Sequence, residues 1–247
     1  NTLELSSAAS DVYKRQELYQ EIEAGARVNA NYVWLAIFST VVATIGLIED
    51  NVAVVIGAMV IAPLLGPNIA LAFGAALGDK VLIVRALQTN FSGLALSLIL
   101  AYGIGLLWPA NLGSVELMTR TDVGVAGIVL ALVSGAAGVL SLTTGVSSAL
   151  VGVMVAVALL PPTVAVGLML SSGNYKQAFG AALLLSVNIV CVNLAAKLVF
   201  LFKGVKPRTW LEKAKARQSM IAYISFWIVT LLLLVVVIQL YHVYFIK

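Results

Sequence analysis

The sequence predicts an all-α polytopic membrane protein of seven transmembrane helices, and three observations carry that prediction. Of its 247 residues, 61% are hydrophobic and only 11% are charged, with a mean hydropathy of +1.03. Several uncharged stretches reach the roughly 20 residues that a helix needs to cross a bilayer core. A pattern of helix, proline-interrupted helix and helix occurs twice, so the chain divides into two three-helix repeats followed by a C-terminal transmembrane helix.

The elements follow in order. Residues 1–16 are set aside as a non-native leader, because Leu5 to Gln16 reads like a translated adapter. Residues 17–29 are expected to form a cytoplasmic segment before the first span. Span 1 covers 30–48 and stops at the acidic pair Glu49-Asp50. Span 2 covers 51–77, is interrupted between Pro63 and Pro67, and closes at Gly78-Asp79-Lys80. Span 3 covers 86–107, where Trp108-Pro109 ends the first repeat, 30–107. A polar loop with Glu116, Arg120 and Asp122 precedes the second repeat, 123–202, which holds span 4 (123–142), span 5 (147–170, interrupted at Pro161-Pro162) and span 6 (178–202). A basic cytoplasmic loop follows at 203–220, and the final segment, 221–247, carries span 7 at 221–241.

Charge placement sets the orientation, because cytoplasmic loops and flanks collect Lys and Arg. With the N-terminus inside, Arg27, Lys80, Arg85, Lys197 and the basic residues of 203–217 fall on the cytoplasmic side, against Arg120, Lys176 and Lys247 outside. The expectation is a multi-pass protein of the inner (plasma) membrane with a cytoplasmic N-terminus and an external C-terminus. The formal charge of +4 is then a matter of orientation, and no nucleic-acid partner is expected.

Shifting the chain by 95 residues lays 31–80 over 126–175 with 12 identities in 50 pairs, against about 5 for a chain so rich in Ala, Leu and Val. Pro67 falls on Pro162, Asn68 on Thr163, and Gly78 on Gly173. Three spans per unit is an odd number, so the second unit enters the membrane from the opposite side and the repeats are inverted. Inverted repeats with discontinuous helices at equivalent positions are the sequence signature of many secondary transporters. The competing reading is that the prolines only kink two packed helices.

Proline suits the first turn of a helix, so Pro67 and Pro162 are expected to open half-helices whose free N–H groups meet near the midplane. The expected binding residues are Gly66, Pro67 and Asn68 at the first break and Pro162 and Thr163 at the second. Asn90 and Asn188 join them as repeat-related amides in spans 3 and 6. Gly66 would permit close backbone approach, and the amides would supply hydrogen bonds. The guest these groups suit is a small anionic or zwitterionic solute. Other polar residues in the spans include Ser39, Thr44, Thr89, Ser134 and Asn193, for which bonding within or between helices is the competing role. No Asp or Glu lies mid-span, so the site is expected to be free of titratable groups and proton coupling is disfavoured.

Cys191 and His242 are the chain's single Cys and His, which leaves no metal-ligand cluster and no intrachain disulfide. With no nucleotide loop and no Ser-His-Asp set, neither an enzyme nor a cofactor is expected. Spacings such as Gly74-x-x-x-Gly78 and Gly127-x-x-x-Ala131-x-x-x-Gly135 permit close helix contact, within the chain or in a homo-oligomer. An alternative to transport is a membrane anchor or sensor for an N-terminal cytoplasmic domain.

The run from Ile56 to Pro67 (IGAMVIAPLLGP), with Ala158 to Thr163 (ALLPPT) later, resembles the prokaryotic membrane family called domain of unknown function 389. The likeness covers about Glu17 to Lys203. It implies a polytopic membrane protein, often with a cytoplasmic N-terminal domain, and brings neither a substrate nor catalytic residues.

Overall fold

In the computed structural model, residues 19–20, 22–144, 148–202 and 210–245 are described; the leader at 1–16 lies outside them. From Ala30 onward nine helices follow one another among these residues: α1 (Ala30–Ile48), α2 (Val52–Ile61), α3 (Leu65–Leu77), α4 (Lys80–Leu107), α5 (Val115–Thr119), α6 (Val125–Thr144), α7 (Ser148–Ser171), α8 (Tyr175–Phe202) and α9 (Trp210–Phe245). No strand is present among the described residues. Four helical stretches are long and apolar enough to cross a membrane: Ala30–Ile48, Lys80–Leu107, Tyr175–Phe202 and Tyr223–Tyr241. Helices α2 and α3 make a fifth if their bent pair counts as one span, and α6 and α7 contain shorter apolar stretches, Ala126–Ser141 and Val155–Ser171. This is a membrane protein, and its outward faces carry Phe91, Ile99, Leu107, Val229 and Leu232, all largely exposed. A water-soluble fold would bury such a surface.

Short polar residues start the helices. Asn29 caps α1 by accepting from the Tyr32 amide at 2.7 Å, and Asn51 caps α2 by accepting from Val54. Asp79 accepts from the amides of Val81 and Leu82, each at 3.0 Å. That cap carries α4 back to Lys80, six residues ahead of the apolar run that marks span 3, because charged residues next to a good cap continue a helix as readily as apolar ones. Gly78 (φ 73°) and Gly173 (φ 71°) take the left-handed conformation that ends α3 and α7. Asp50 holds the same unusual region (φ 55°) in the tight turn between α1 and α2. Its carboxylate is fixed there by the Glu116 amide at 2.8 Å, so it is a structural brace for the loop. The polar loop also forms a short helix, α5, capped by Ser114, which hydropathy does not reveal.

The two proline segments fold differently. Pro63 disfavours helical geometry in the residue before it, and Ala62 is extended (φ −64°, ψ 124°). Helix α2 ends there, α3 begins at Leu65, and the two are bent by 52°. Pro67 is the third residue of α3 and not the first, still within the turn whose amides lack helical partners. In the second proline segment the expected break is absent: α7 runs from Ser148 to Ser171 with Pro161 and Pro162 inside it. Adjacent prolines interrupt the hydrogen-bond ladder at two neighbouring carbonyls only. Prolines four residues apart, with Gly66 between them, interrupt it for more than a turn.

The most buried helices are α3, α7 and α8. Every residue from Pro67 to Ala76 is buried, as is every residue from Ala158 to Met169. Helix α7 packs against α1, α2, α4, α6 and α8, while α9 lies against α3 and α8. The small-residue stripe of α6 is used within the chain. A Cβ on Gly135 would meet the Val192 backbone of α8 at under 3.0 Å, and one on Gly127 would touch Leu184.

Candidate functional site

Helix α3 starts without a side-chain cap at Leu64, so its first-turn amides depend on what lies nearby. Asn68 does not serve those amides; its Nδ2 donates to the Leu64 carbonyl at 2.8 Å. That leaves Asn68 Oδ1 as an acceptor, and two helices supply donors to it. Asn90 Nδ2 of α4 donates at 2.9 Å, and Asn193 Nδ2 of α8 donates at 3.2 Å while also reaching the Ile189 carbonyl at 2.9 Å. The amide orientations follow from this chain of bonds. A carbonyl at Leu64 demands Nδ2 from Asn68, whose Oδ1 then demands Nδ2 from its neighbours. Asn90 and Asn193 are therefore left with Oδ1 atoms that are buried and have no partner among the described residues.

One turn beyond Asn193, about 6 Å along α8, lies Lys197. It is 1% exposed, and its Nζ has no hydrogen-bond partner among the described residues. Its neighbours are aromatic: Nζ sits 4.9 Å from the Tyr223 ring centre and 5.0 Å from that of Trp227, both on α9. Cation–π contacts of this kind are worth about 2 kcal/mol when desolvated, less than the several kcal/mol that burying an ammonium costs. The sequence places Lys197 among the flanking charges, and the structure encloses it beneath α9. The signals were two spacings of four residues, Asn193 to Lys197 and Tyr223 to Trp227. Each puts its pair on one helix face.

The second proline segment is closed. Pro162 has no amide hydrogen for the Ala158 carbonyl four residues earlier, and Asn188 Nδ2 of α8 serves that carbonyl at 2.7 Å. Thr163 is 0% exposed, and its hydroxyl donates to the Leu159 carbonyl of its own helix at 2.7 Å. Of the residues expected at the site, Asn68 and Asn90 meet directly. Pro162, Thr163 and Asn188 form a separate group around the α7 carbonyls. Ser39 and Thr44 bond back to their own helix.

Gly66 does allow a close approach, by the chain's own backbone. A Cβ there would lie 2.7 Å from the Gly25 carbonyl oxygen. The segment before α1 is held in place by Thr89, whose hydroxyl donates to the Ala26 carbonyl at 2.6 Å. Glu23 adds ion pairs with Arg27 and Arg85, each at 2.8 Å. Hydrogen bonding from Arg27, followed by the nearby positive charges, holds the Glu23 carboxyl below the usual carboxylate range. Tyr19 donates to Asp79 at 2.7 Å, and chiefly for that reason its phenol is pushed up to about 12. An open surface depression on this segment, lined by residues between Gln20 and Asn29, includes none of the four buried asparagines. The buried cluster is the better candidate, because unsatisfied polar atoms in apolar surroundings are costly and call for a partner.

Comparison with known proteins agrees with the sequence resemblance. A protein of Methanocaldococcus jannaschii described as uncharacterised is 36% identical over 228 residues, covering 92% of this chain and 71% of that one. No solved structure matches. The model of the family described as a domain of unknown function (DUF389) matches residues 59–194, a stretch that includes both proline segments and all four buried asparagines. The chain belongs to the DUF389 family.

Proposed function

We propose that this membrane protein moves a small anionic or zwitterionic solute and handles it at the bend between α2 and α3. One observation carries the reading: asparagines from three helices converge on the bend, two of them with an unbonded, buried Oδ1. Each such orphan costs about 1–3 kcal/mol, and a guest that brings an N–H or O–H donor, as a zwitterion or a hydroxylated anion does, relieves that cost. The helix pairings support a duplicated architecture. Exchanging α1 with α6, α2 and α3 with α7, and α4 with α8 carries the set of pairings among these helices onto itself. On this reading the chain is a seven-span, non-enzymatic protein of the cytoplasmic membrane with its N-terminus inside. Its two inverted repeats rock against each other to give alternating access.

The test is flux into proteoliposomes over a panel of small anions and zwitterions. Wild type should transport at least one of them, and the double variant Asn68→Leu, Asn90→Leu should lose at least about tenfold in rate, the equivalent of 1.4 kcal/mol. Unchanged uptake by a folded double variant would remove the bend from the mechanism. The anchor or sensor reading draws on a different observation, the closed packing around Pro162 and Thr163. It expects no flux of any panel member.

A further inference from the structure

The orphaned atoms around the bend are of two opposite kinds. When protonated, Lys197 Nζ carries a charge and can only donate, and no described carboxylate is paired with it. Asn90 Oδ1 and Asn193 Oδ1 can only accept. A chloride would answer the first and not the second, and a simple ammonium would answer the second and not the first. The groups are linked through one stripe of α8, with Asn193 bonded to Asn68 at the bend and Lys197 on the next turn. The aromatic roof of Tyr223 and Trp227 belongs to the apolar cluster that contains Ile69 and Phe73 of α3 and Phe200 of α8. Lys197 is thus enclosed where α3, α8 and α9 meet.

Building on the solute-transport reading, we propose that Lys197 is the anion-recognising group of the site and that its ligand is a small carboxylate bearing a hydrogen-bond donor, an amino or hydroxy acid. The carboxylate takes Lys197 Nζ, and the amino or hydroxyl hydrogens take the Asn193 and Asn90 oxygens. Before the ligand arrives, the two aromatic faces hold the ammonium in place of a counter-ion. Binding replaces that weaker contact with a charge-assisted hydrogen bond.

The experiment uses the full chain in lipid nanodiscs, titrated calorimetrically with glycolate, L-alanine, acetate and methylammonium. Glycolate or alanine should bind at least tenfold more tightly than acetate or methylammonium. Lys197→Met should lose at least tenfold for the preferred probe, and Lys197→Arg, which keeps the charge, should retain part of it. Monodispersity and helix content of both variants check folding, and Asn193→Leu should narrow the gap between glycolate and acetate. Binding by Lys197→Met equal to wild type, or a preference for methylammonium, overturns the assignment and leaves the transport reading standing wherever flux persists. Flux of some other solute with none of the four probes bound overturns the ligand class alone. Absence of both binding and flux in wild type overturns both.

Discussion

Pro162 and Asn188 illustrate how one residue in this fold depends on another that is distant in sequence. The carbonyl of Ala158 is stranded by the ring of Pro162, and the amide of Asn188 reaches it from the next helix. Replacing Asn188 by Leu leaves that carbonyl buried without a donor, which should destabilise the protein by about 1–3 kcal/mol, read as a lower unfolding temperature in detergent. Pro162→Ala restores an amide that can serve the same carbonyl, so the double variant should recover most of the loss. If the two effects simply add, the carbonyl is not what links them. Asn68 and Thr163, which the 95-residue shift of the sequence aligns, both bond to the carbonyl four residues back. Only Asn68 has a second functional atom left over, and that atom gathers Asn90 and Asn193.

Among the elements, the segment before α1 is bound to α4 and the turn that precedes it by contacts that titrate. Glu23 is the hub, paired with Arg27 on its own turn and with Arg85 at the start of α4. Its carboxyl is held below the usual range. The docking contribution is therefore complete at neutral pH and is lost as pH falls through that lowered value. Amide exchange protection of residues 22–27, corrected for intrinsic rates, should fall on acidification and, at neutral pH, in Glu23→Gln. Protection that is equal in the variant and wild type would place the hold in Thr89 and the apolar contacts of Ile22 and Ala26 alone. Tyr19 gives the opposite pH dependence. Its phenol is raised to about 12, so the bond to Asp79 is present at all ordinary pH values and fails only as pH rises toward that value.

Across the whole molecule, the proposed orientation puts the α3–α4 turn in the cytoplasm and the loop after α4 outside. The native background is favourable for testing this, because Cys191 is the single cysteine and is fully buried. A membrane-impermeant maleimide should leave wild type unlabelled in intact cells and should label Leu112→Cys. Lys80→Cys should react only after permeabilisation. The reverse pattern would invert the topology. The exposed apolar faces of α4 and α9 are the surfaces that lipid covers in either orientation.

Much of this architecture was legible in the sequence, because hydropathy, caps and proline chemistry are local properties. The apolar runs place the long helices, α1 at its observed bounds, and Pro63 with Gly66 and Pro67 marks the bend between α2 and α3. The amides Asn68 and Asn90 stand out for the same reason, as polar groups in an apolar run. Tertiary structure decided what depends on a neighbouring helix. The α7 ladder continues through two prolines with Asn188 of α8 bonded to a stranded carbonyl. Gly25 of the pre-span segment fills the space that Gly66 leaves. Lys197, six residues from the start of a basic loop, reads as a solvated flank until α9 lays Tyr223 and Trp227 over it. Burial and the satisfaction of hydrogen bonds are properties of the packed bundle, so no single helix records them.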